Sequence, residues 1–281
     1  MSDQAAESTG SFRIPATQDE PAGNGKSDKP KSFWRELPIL IIIALALTFL
    51  LQTFIARVYL IPSESMEPTL HGCAGCTGDR IVVEKISYRF GDPKAGDVVV
   101  FLGPDSWNGA YVSIRSHNPA IRALQNAGAF IGIVPPDEND LVKRVIATGG
   151  QTVECCDEQG RILVDGKPLD EPYVKTDFPF IPGQQDCKTE SKSPRCFPAV
   201  TVPAGRLWVM GDNRNNSADS RFHSCVIHPE LPRCDKDAAD YMGDAEATGT
   251  VPIGNVRGKA VFVVLPPSRM GVIHSPDIQA N

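Results

Sequence analysis

The sequence predicts a mainly β domain preceded by a single membrane-spanning helix. One apolar run, residues 37–56, contains no Asp, Glu, Lys or Arg. Gly and Pro each occur 24 times in 281 residues, which favours a turn-rich β protein over a helical bundle. After the apolar run, short segments rich in Val and Ile alternate with turn-forming clusters. These three features define the expected fold class.

The apolar run is about as long as the ~20 residues that cross a bilayer core. A secretory signal has a shorter apolar region of ~7–15 residues after a short basic lead, whereas a mixed-charge segment of 36 residues precedes this one. A buried core helix would show periodic polar positions, but here only Thr48, Gln52 and Thr53 are polar. We therefore expect a membrane anchor over 37–56, after a disordered tail over 1–36.

The flanking charges predict how the anchor is oriented. Four basic residues lie shortly before the run and a single one, Arg57, directly follows it. The four are Lys26, Lys29, Lys31 and Arg35. The positive-inside rule then places the N-terminus in the cytoplasm and residues 57–281 outside the cell membrane.

The cysteines agree with that orientation, because all eight follow the apolar run. An even count in one compartment indicates disulfides in an oxidising space. Cys187–Cys196 and Cys225–Cys234 would close short loops and are the preferred pairs. Cys73, Cys76, Cys155 and Cys156 would pair among themselves in an arrangement left open. The spacing Cys73-x-x-Cys76 also suits zinc, but no second ligand pair follows it, so we expect no metal.

The extracytoplasmic region is expected to form seven strands in chain order. They cover 80–86, 97–102, 140–147, 151–154, 161–164, 206–210 and 258–265. Three longer segments, 103–139, 172–200 and 223–250, are expected as insertions or loops. The first contains a short predicted helix, Pro119–Ala129.

The charge distribution excludes one class of partner. The formal net charge is −6, and no stripe of Lys and Arg or basic face with interleaved aromatic residues is present. Proteins that bind nucleic acid normally carry such a basic patch. We therefore expect no nucleic-acid partner.

A serine-rich turn follows the apolar run and offers a candidate nucleophile. Ser65 lies between Pro62 and Pro68, where the chain cannot continue as a helix. A rigid turn can hold a hydroxyl at a fixed angle, as a nucleophilic serine requires. By itself, however, this turn is more typical of a linker that leaves the membrane.

A nucleophilic serine needs a base, and the sequence offers two kinds. Lys143 interrupts an apolar strand, and alternation places it on one face with Leu141 and Val145. Burial there would lower the lysine pKa and give a neutral amine, although a lysine at a strand edge can also extend its amine to solvent. The five histidines keep a Ser-His-Asp triad open. They are His71, His117, His223, His228 and His274.

A polar segment, residues 211–221, directly follows the last strand before the third insertion. Its sequence is GDNRNNSADSR, which is dense in hydrogen-bonding side chains. Active-site loops often follow strands in this way. The alternatives are a polar hairpin turn or a calcium loop using Asp212, Asn213, Asn216 and Asp219, although the spacing does not match an EF-hand.

Taken together, three segments resemble the bacterial type I signal peptidases. The segments are SESMEPTL at 63–70, DLVKRV at 140–145 and GDNRNNSADSR at 211–221, in that order after an apolar span. The resemblance covers the anchor and most of 57–265, and the ordered set is far more specific than any one segment. It implies a signal-peptidase-like, largely antiparallel β-structure, with an apolar surface beside the catalytic cleft that rests on the membrane.

The resemblance also implies a role for each motif residue. Ser65 would be the nucleophile, Lys143 the general base, and Ser63 an oxyanion-hole donor beside the backbone N–H of Ser65. Three residues of the polar loop would support them: Ser217 by orienting the lysine amine, and Asp219 and Arg221 by forming an ion pair that holds the loop.

The implied activity is that of a serine endopeptidase that removes signal peptides from exported precursors. It would cleave after small residues at the −1 and −3 positions, work at the lipid bilayer as a monomer, and need no cofactor or metal. A self-cleaving peptidase of the related repressor type and a non-catalytic envelope scaffold are the alternatives.

Two features depart from the family pattern. The family's Gly-x-Pro-Gly-Asp segment is replaced by Ala147-Thr148-Gly149-Gly150-Gln151, and Val251-Pro252 arrives only after the 223–250 insertion. These departures leave the local turn geometry and the range of substrates open.

Overall fold

The structure, a computed structural model, describes residues 33–73, 75–107, 115–130, 139–237, 241 and 243–279. The described helices are α1 (Phe33–Phe54), α2 (Ser87–Phe90), α3 (Pro119–Phe130), α4 (Ser220–His223) and α5 (Asp244–Ala247). The first six strands are β1 (Ala56–Leu60), β2 (Arg80–Glu84), β3 (Val98–Leu102), β4 (Asp140–Thr148), β5 (Thr152–Cys155) and β6 (Ile162–Val164). The others are β7 (Lys167–Pro168), β8 (Phe197–Thr201), β9 (Arg206–Met210), β10 (Val251–Pro252), β11 (Val256–Leu265) and β12 (Gly271–Val272).

The chain divides into two compact units, residues 1–43 and 44–281. In the first, the described residues form the beginning of α1. Residues Glu36–Phe54 of α1 have a mean hydropathy of 2.4 and are long and apolar enough to cross a membrane. The helix ends at Phe54, two residues before the predicted end of the apolar run, because Ala56 already pairs with Glu84 in the sheet.

Two antiparallel sheets make up most of the second unit. The larger has the strand order β1-β2-β11-β3-β4-β9-β10, with β12 paired to β11. The smaller has the order β7-β6-β5-β8. All strand pairs described are antiparallel, which confirms the predicted mainly β fold class.

The apolar side chains explain why this fold is stable. One buried cluster joins the two sheets, with Trp208 and Phe197 stacked at 5.7 Å between ring centroids. Two more lie against the larger sheet, one including Met66 and Leu70, the other including Phe101. Burying such side chains contributes about 1.5–3 kcal/mol each. Because Met66 and Leu70 belong to this core, the serine-rich turn is fixed to the sheet.

All seven predicted strands form, with ends shifted by at most two residues, and the predicted helix Pro119–Ala129 is α3. The 172–200 segment was expected to be a loop throughout, which is wrong at its end, since β8 begins at Phe197 and pairs with β5. Of the other two insertions, residues 108–114, 131–138, 238–240 and 242 lie outside the described residues. Within 223–250 the chain forms the short helix α5.

Four disulfides are present among the described residues. Cys187–Cys196 and Cys225–Cys234 form as predicted, each between residues nine apart. The four remaining cysteines pair as Cys73–Cys76 and Cys155–Cys156, which completes the arrangement that the sequence left open.

The turn that departs from the family pattern is closed by a side chain. Gln151 Oε1 accepts hydrogen bonds from the backbone N–H of Thr148 at 2.9 Å and from its hydroxyl at 3.2 Å. Gly150 has φ +91°, a conformation that glycine adopts without strain. The turn after β4 therefore forms without the Pro and Asp of the family pattern.

Candidate active site

The serine-rich turn contains a short 3₁₀ helix, Glu64–Met66, that places Ser65 against the sheet. Buried Met66 anchors the turn from below. From the other side, the backbone N–H of Asn213 donates to the carbonyl oxygen of Ser65 at 3.2 Å. The side-chain amide of Asn213 also donates to the Glu64 carbonyl oxygen at 3.2 Å. Both groups of Asn213 therefore bind the backbone of the turn and connect it to the polar 211–221 loop.

The structure brings Ser65 and Lys143 into direct contact. Lys143 Nζ donates a hydrogen bond to Ser65 Oγ at 2.7 Å, although the two residues are 78 positions apart. Nζ also donates to the Val142 carbonyl at 3.1 Å, which helps to fix its direction. The hydroxyl of Ser63 lies 3.3 Å from that of Ser65. Two hydroxyls and an amine thus meet at one point.

Lys143 reaches this point from the middle of the larger sheet. On β4 it pairs with Val99 of β3, and its neighbours Leu141 and Val145 pack into the same apolar cluster. The residue is only 4% exposed. Burial penalises the ammonium form and lowers the lysine pKa to about 8, although Asp219 and Asp212 act in the opposite direction. At pH 7 about one in ten of the lysine side chains is therefore neutral, and about half are neutral at pH 8.

The histidines occupy other environments. Among the residues that the structure describes, Ser65 Oγ is hydrogen-bonded to Lys143 and Ser63, and no histidine contributes a bond. His223 stacks on Trp107 at 4.3 Å between ring centroids, and burial lowers its pKa to about 4. The geometry favours the lysine over a histidine as the partner of Ser65.

Because residue 211 is a glycine, the polar loop can pack closely against Ser65. A Cβ atom at this position would lie 2.4 Å from the Ser65 carbonyl oxygen and 2.3 Å from Ser217 Oγ, closer than atoms can pack. Ser217 Oγ is shielded from solvent and has no hydrogen-bond partner among the described residues. Ser217 Oγ and the Ser65 carbonyl oxygen thus lie on the same side of Gly211, and among the described residues Ser217 makes no hydrogen bond to the Lys143 amine.

Asp219 and Arg221 form a nearly buried ion pair. Arg221 donates to both carboxylate oxygens, at 3.0 and 2.9 Å. Asp219 also accepts a hydrogen bond from the backbone N–H of Gly211 at 3.0 Å, and Arg221 Nη2, which contacts Asp219, also donates to the Arg214 carbonyl oxygen at 2.8 Å. Burial would raise the Asp219 pKa, but the Arg221 charge and these hydrogen bonds hold it below its usual range. The pair closes the 211–221 loop.

A second buried ion pair was missed in the sequence. Arg144 donates to both oxygens of Asp212, at 2.9 and 2.7 Å, and the two side chains are 1% and 0% exposed. The Thr69 hydroxyl donates to the same carboxylate at 2.5 Å. Removing one partner of a buried pair typically costs about 3–5 kcal/mol. This network therefore ties the three motif segments together behind the reacting atoms.

Arg214 forms a further connection that the sequence did not reveal. Its guanidinium contacts both oxygens of Glu171, one at 3.0 Å and the other at 2.5 Å, and its Nε donates to the Gly211 carbonyl at 3.1 Å. Burial would raise the Glu171 pKa, but the Arg214 charge keeps it low. Arg214 and Arg221 therefore both fix the polar loop through ion pairs, the first with Glu171 and the second with Asp219.

These ion pairs argue against a calcium loop at 211–221. The carboxylates of Asp212 and Asp219, which would have to bind the ion, are occupied by arginines. Among the described residues, two other groups have the donor atoms for a metal: His71 with Cys73 and Cys76, and Cys156 with Cys187 and Cys196. Neither includes Ser65 or Lys143.

Comparison with known proteins places this arrangement in a family. The family model described as "Signal peptidase, peptidase S26" matches residues 34–265. Signal peptidase I of Mycobacterium tuberculosis is 52% identical over 265 residues, which cover 90% of this chain and 81% of that protein. A probable signal peptidase I of Mycobacterium leprae is 53% identical over 262 residues, covering 92% and 84%. The probable signal peptidase I-1 of Synechocystis is 35% identical over 252 residues, covering 90% and 93%.

The match extends over most of the chain and includes all three motif segments. The chain belongs to the S26 family of signal peptidases, the serine endopeptidases that remove signal peptides from precursor proteins.

Proposed function

We propose that this chain is a membrane-anchored signal peptidase that uses Ser65 and Lys143 as a catalytic dyad. The observation that carries the proposal is the 2.7 Å contact between Lys143 Nζ and Ser65 Oγ. A lysine so placed must lose its proton before it can accept one from the serine. Burial lowers its pKa to about 8, which supplies the neutral amine.

Acylation begins with transfer of the Ser65 hydroxyl proton to Lys143. The serine oxygen then attacks the carbonyl carbon at the cleavage site and forms a tetrahedral intermediate. The Lys143 ammonium gives its proton to the leaving amine, the peptide bond breaks, and an ester on Ser65 remains. A water molecule, activated by the neutral lysine in its turn, hydrolyses that ester and regenerates the serine.

Two donors are available for the negative oxygen of the intermediate. They are the Ser63 hydroxyl, 3.3 Å from Ser65 Oγ, and the backbone N–H of Ser65. Donors aimed at a developing charge are effective catalysts, since removal of one such donor costs about 10²–10³-fold in rate. The Asp219–Arg221 ion pair would act indirectly, by holding the loop that braces the turn, and Ser217 would orient the Lys143 amine, as the resemblance implies.

The surroundings of the dyad suit a small side chain on the substrate. Buried Met66 and Val99, together with half-buried Val142, surround the turn and the lysine with apolar atoms. Shallow apolar walls would admit alanine-sized groups at the −1 and −3 positions and exclude larger ones. Signal peptides of exported precursors are therefore the proposed substrates.

The anchor gives the enzyme access to those substrates. We infer a cytoplasmic tail before the apolar run, a transmembrane helix that ends at Phe54 and an extracytoplasmic catalytic domain from Ala56 onward, active as a monomer at the cell membrane. The apolar, exposed α1 supports the anchor, and Ser65 follows Ala56 by nine positions. So short a connection keeps the nucleophile where signal peptides leave the bilayer.

Protease protection tests this topology. When trypsin is added to intact spheroplasts, we expect it to degrade epitope-tagged catalytic domain and to spare an N-terminal tag. The four basic residues before the apolar run and the single Arg57 after it set this direction. Lysed spheroplasts, in which both tags should be lost, provide the control. An N-terminal tag that is cleaved in intact cells would contradict the proposed orientation.

A pH–rate profile tests the dyad. Because the neutral form of Lys143 is the active one, kcat/KM for a precursor should rise about tenfold per pH unit below the pKa and level off above about pH 8. Cleavage of a purified precursor with an Ala-x-Ala site, followed from pH 6 to 9 in detergent, measures this. A flat profile over that range would contradict a neutral-lysine base.

A further inference from the structure

A second group of reactive side chains lies just beyond the catalytic turn. His71, Cys73 and Cys76 place one imidazole nitrogen and two sulfur atoms within 4.8 Å of one another. The proposed reaction of Ser65 and Lys143 does not use these three side chains. Their atom types, a nitrogen and two sulfurs, are the set that zinc prefers in proteins.

The two ends of the loop that carries this group are fixed by hydrogen bonds and close packing. The backbone N–H of His71 donates to Asp79 Oδ2 at 2.8 Å, and the Asp79 N–H donates back to the His71 carbonyl at 2.7 Å. Buried Asp79 is fixed in turn by Arg269. Gly72 packs so closely on the turn that a Cβ there would lie 2.4 Å from the Ile61 carbonyl oxygen. The ligand group is thus presented from a closed loop.

One of the three ligand distances already agrees with a tetrahedral metal, whereas the two sulfurs, joined in a disulfide, must separate on reduction. With metal–sulfur bonds near 2.3 Å and metal–nitrogen bonds near 2.0–2.1 Å, a tetrahedral centre sets a sulfur and a nitrogen ligand about 3.6 Å apart. His71 Nε2 lies 3.7 Å from Cys76 Sγ. The two ligands therefore already have close to the separation that zinc requires.

The histidine is also oriented as in metal sites. Its Nδ1 contacts the carboxylate of Glu67, one helical turn earlier in the sequence, so that Nε2 is directed to the sulfurs. Metal-binding histidines usually donate their second ring N–H to a carboxylate in this way, which fixes the ring and increases its basicity. This contact is independent of the sulfur positions and supports the same conclusion.

We propose that the reduced form of this loop binds a zinc-like divalent cation through His71 Nε2, Cys73 Sγ and Cys76 Sγ. In the structure the two cysteines form a disulfide, so binding requires prior reduction. A dithiol reductant supplies two electrons and two protons, becomes a disulfide itself, and leaves two thiols on the loop. Metal binding then releases both thiol protons. The exposed side chain of Cys76 makes this disulfide accessible.

Such a site would make the loop beside the catalytic turn responsive to both redox conditions and metal. Three protein ligands leave a fourth position for water, as in zinc sites that are not purely structural. The cation would replace the disulfide as the cross-link that closes the 73–76 segment. The loop therefore has two alternative closed forms, one covalent and one metal-bound.

The test uses the full chain in detergent, before and after reduction by a phosphine that is then removed under argon. Zinc is titrated against a chromophoric chelator, and Co²⁺ serves as a spectroscopic probe for thiolate ligands. We expect the reduced protein to bind zinc through this loop and the oxidised protein to bind none there. In the reduced Glu67→Gln variant the affinity should fall about 10- to 100-fold.

Matched variants locate the site. Cys73→Ser/Cys76→Ser should lose the bound zinc and the thiolate–cobalt absorption, whereas Cys225→Ser/Cys234→Ser, which removes another pair, should keep them. Cys187→Ser/Cys196→Ser removes two of the three sulfurs of the other metal-competent group and should also keep the zinc bound by this loop. His71→Asn keeps both cysteines and should weaken binding as well. Zinc that is absent from the reduced wild type, or retained by Cys73→Ser/Cys76→Ser, or bound equally well by His71→Asn, would overturn the proposal.

Discussion

The Ser65→Ala variant will fold normally and will have lost precursor cleavage. The substitution removes the hydroxyl that Lys143 contacts, but it keeps the backbone carbonyl that binds Asn213. Removal of the nucleophile from a serine protease lowers kcat by on the order of 10⁶-fold. Cleavage of a purified precursor with an Ala-x-Ala site, measured in detergent at pH 8–9, will show no product above background.

Two controls make this result specific. Ser191→Ala changes an exposed serine in the 172–200 segment and should leave cleavage unchanged. A precursor with Phe in place of Ala at −1 should resist the wild-type enzyme, as expected for shallow pockets. Thermal unfolding of Ser65→Ala should remain cooperative and close to that of wild type. Retention of even about 1% of activity would point to a different nucleophile.

Much of the fold could be predicted because its strands carry strong local signals. Val- and Ile-rich segments such as β3 and β4 lie between Gly- and Pro-containing turns, and both form as expected. The strands that were missed have weaker signals. The two-residue strands β7, β10 and β12 are too short to show alternation, β8 contains Pro198, and β1 begins at the last residue of the apolar run. Their pairing depends on neighbouring strands that are distant in sequence.

In the site, too, the local motifs could be recognised from the sequence, whereas contacts between distant residues could not. The motif segments were recognised because serine, lysine and the polar loop occur in a fixed order. The resemblance implied a pair between Asp219 and Arg221, but the partner of Asp212 was not readable, because the loop has several arginines in reach. The fold resolves this by burying Arg144 beside Asp212 and leaving Asp219 to Arg221.

The grouping of His71 with Cys73 and Cys76 was also hidden in the sequence. Cys73-x-x-Cys76 had the spacing of a zinc site, but a further partner could not be identified by spacing alone. His71 becomes that partner because Asp79 closes the loop and Glu67 turns the imidazole toward the sulfurs. Contacts between side chains, and not their order, define this group.

Lys188 provides a control for a substitution at Lys143, because the first lysine is exposed and the second is buried. Lys188 is exposed, with 83% of its side chain accessible, so Lys188→Met should leave both cleavage and its pH dependence as in wild type. Lys143 is buried and contacts the nucleophile, so the same exchange there tests the proton transfer. Methionine is similar in length to lysine and suits an apolar site, and the variant should therefore stay folded.

Lys143→Met should lower kcat by at least about 10³-fold, because Ser65 then has no base and the leaving amine no proton donor. The residual rate should lose the rise with pH that ends near the lysine pKa of about 8. Its thermal stability should match or exceed that of wild type, since an amine that is costly to bury is replaced by an apolar side chain. A purely structural lysine would instead give a less stable enzyme with an unchanged pH profile. Precursor cleavage across pH 6–9, measured beside thermal unfolding, separates the two roles, and a fully active Lys143→Met would return a histidine to consideration as the base.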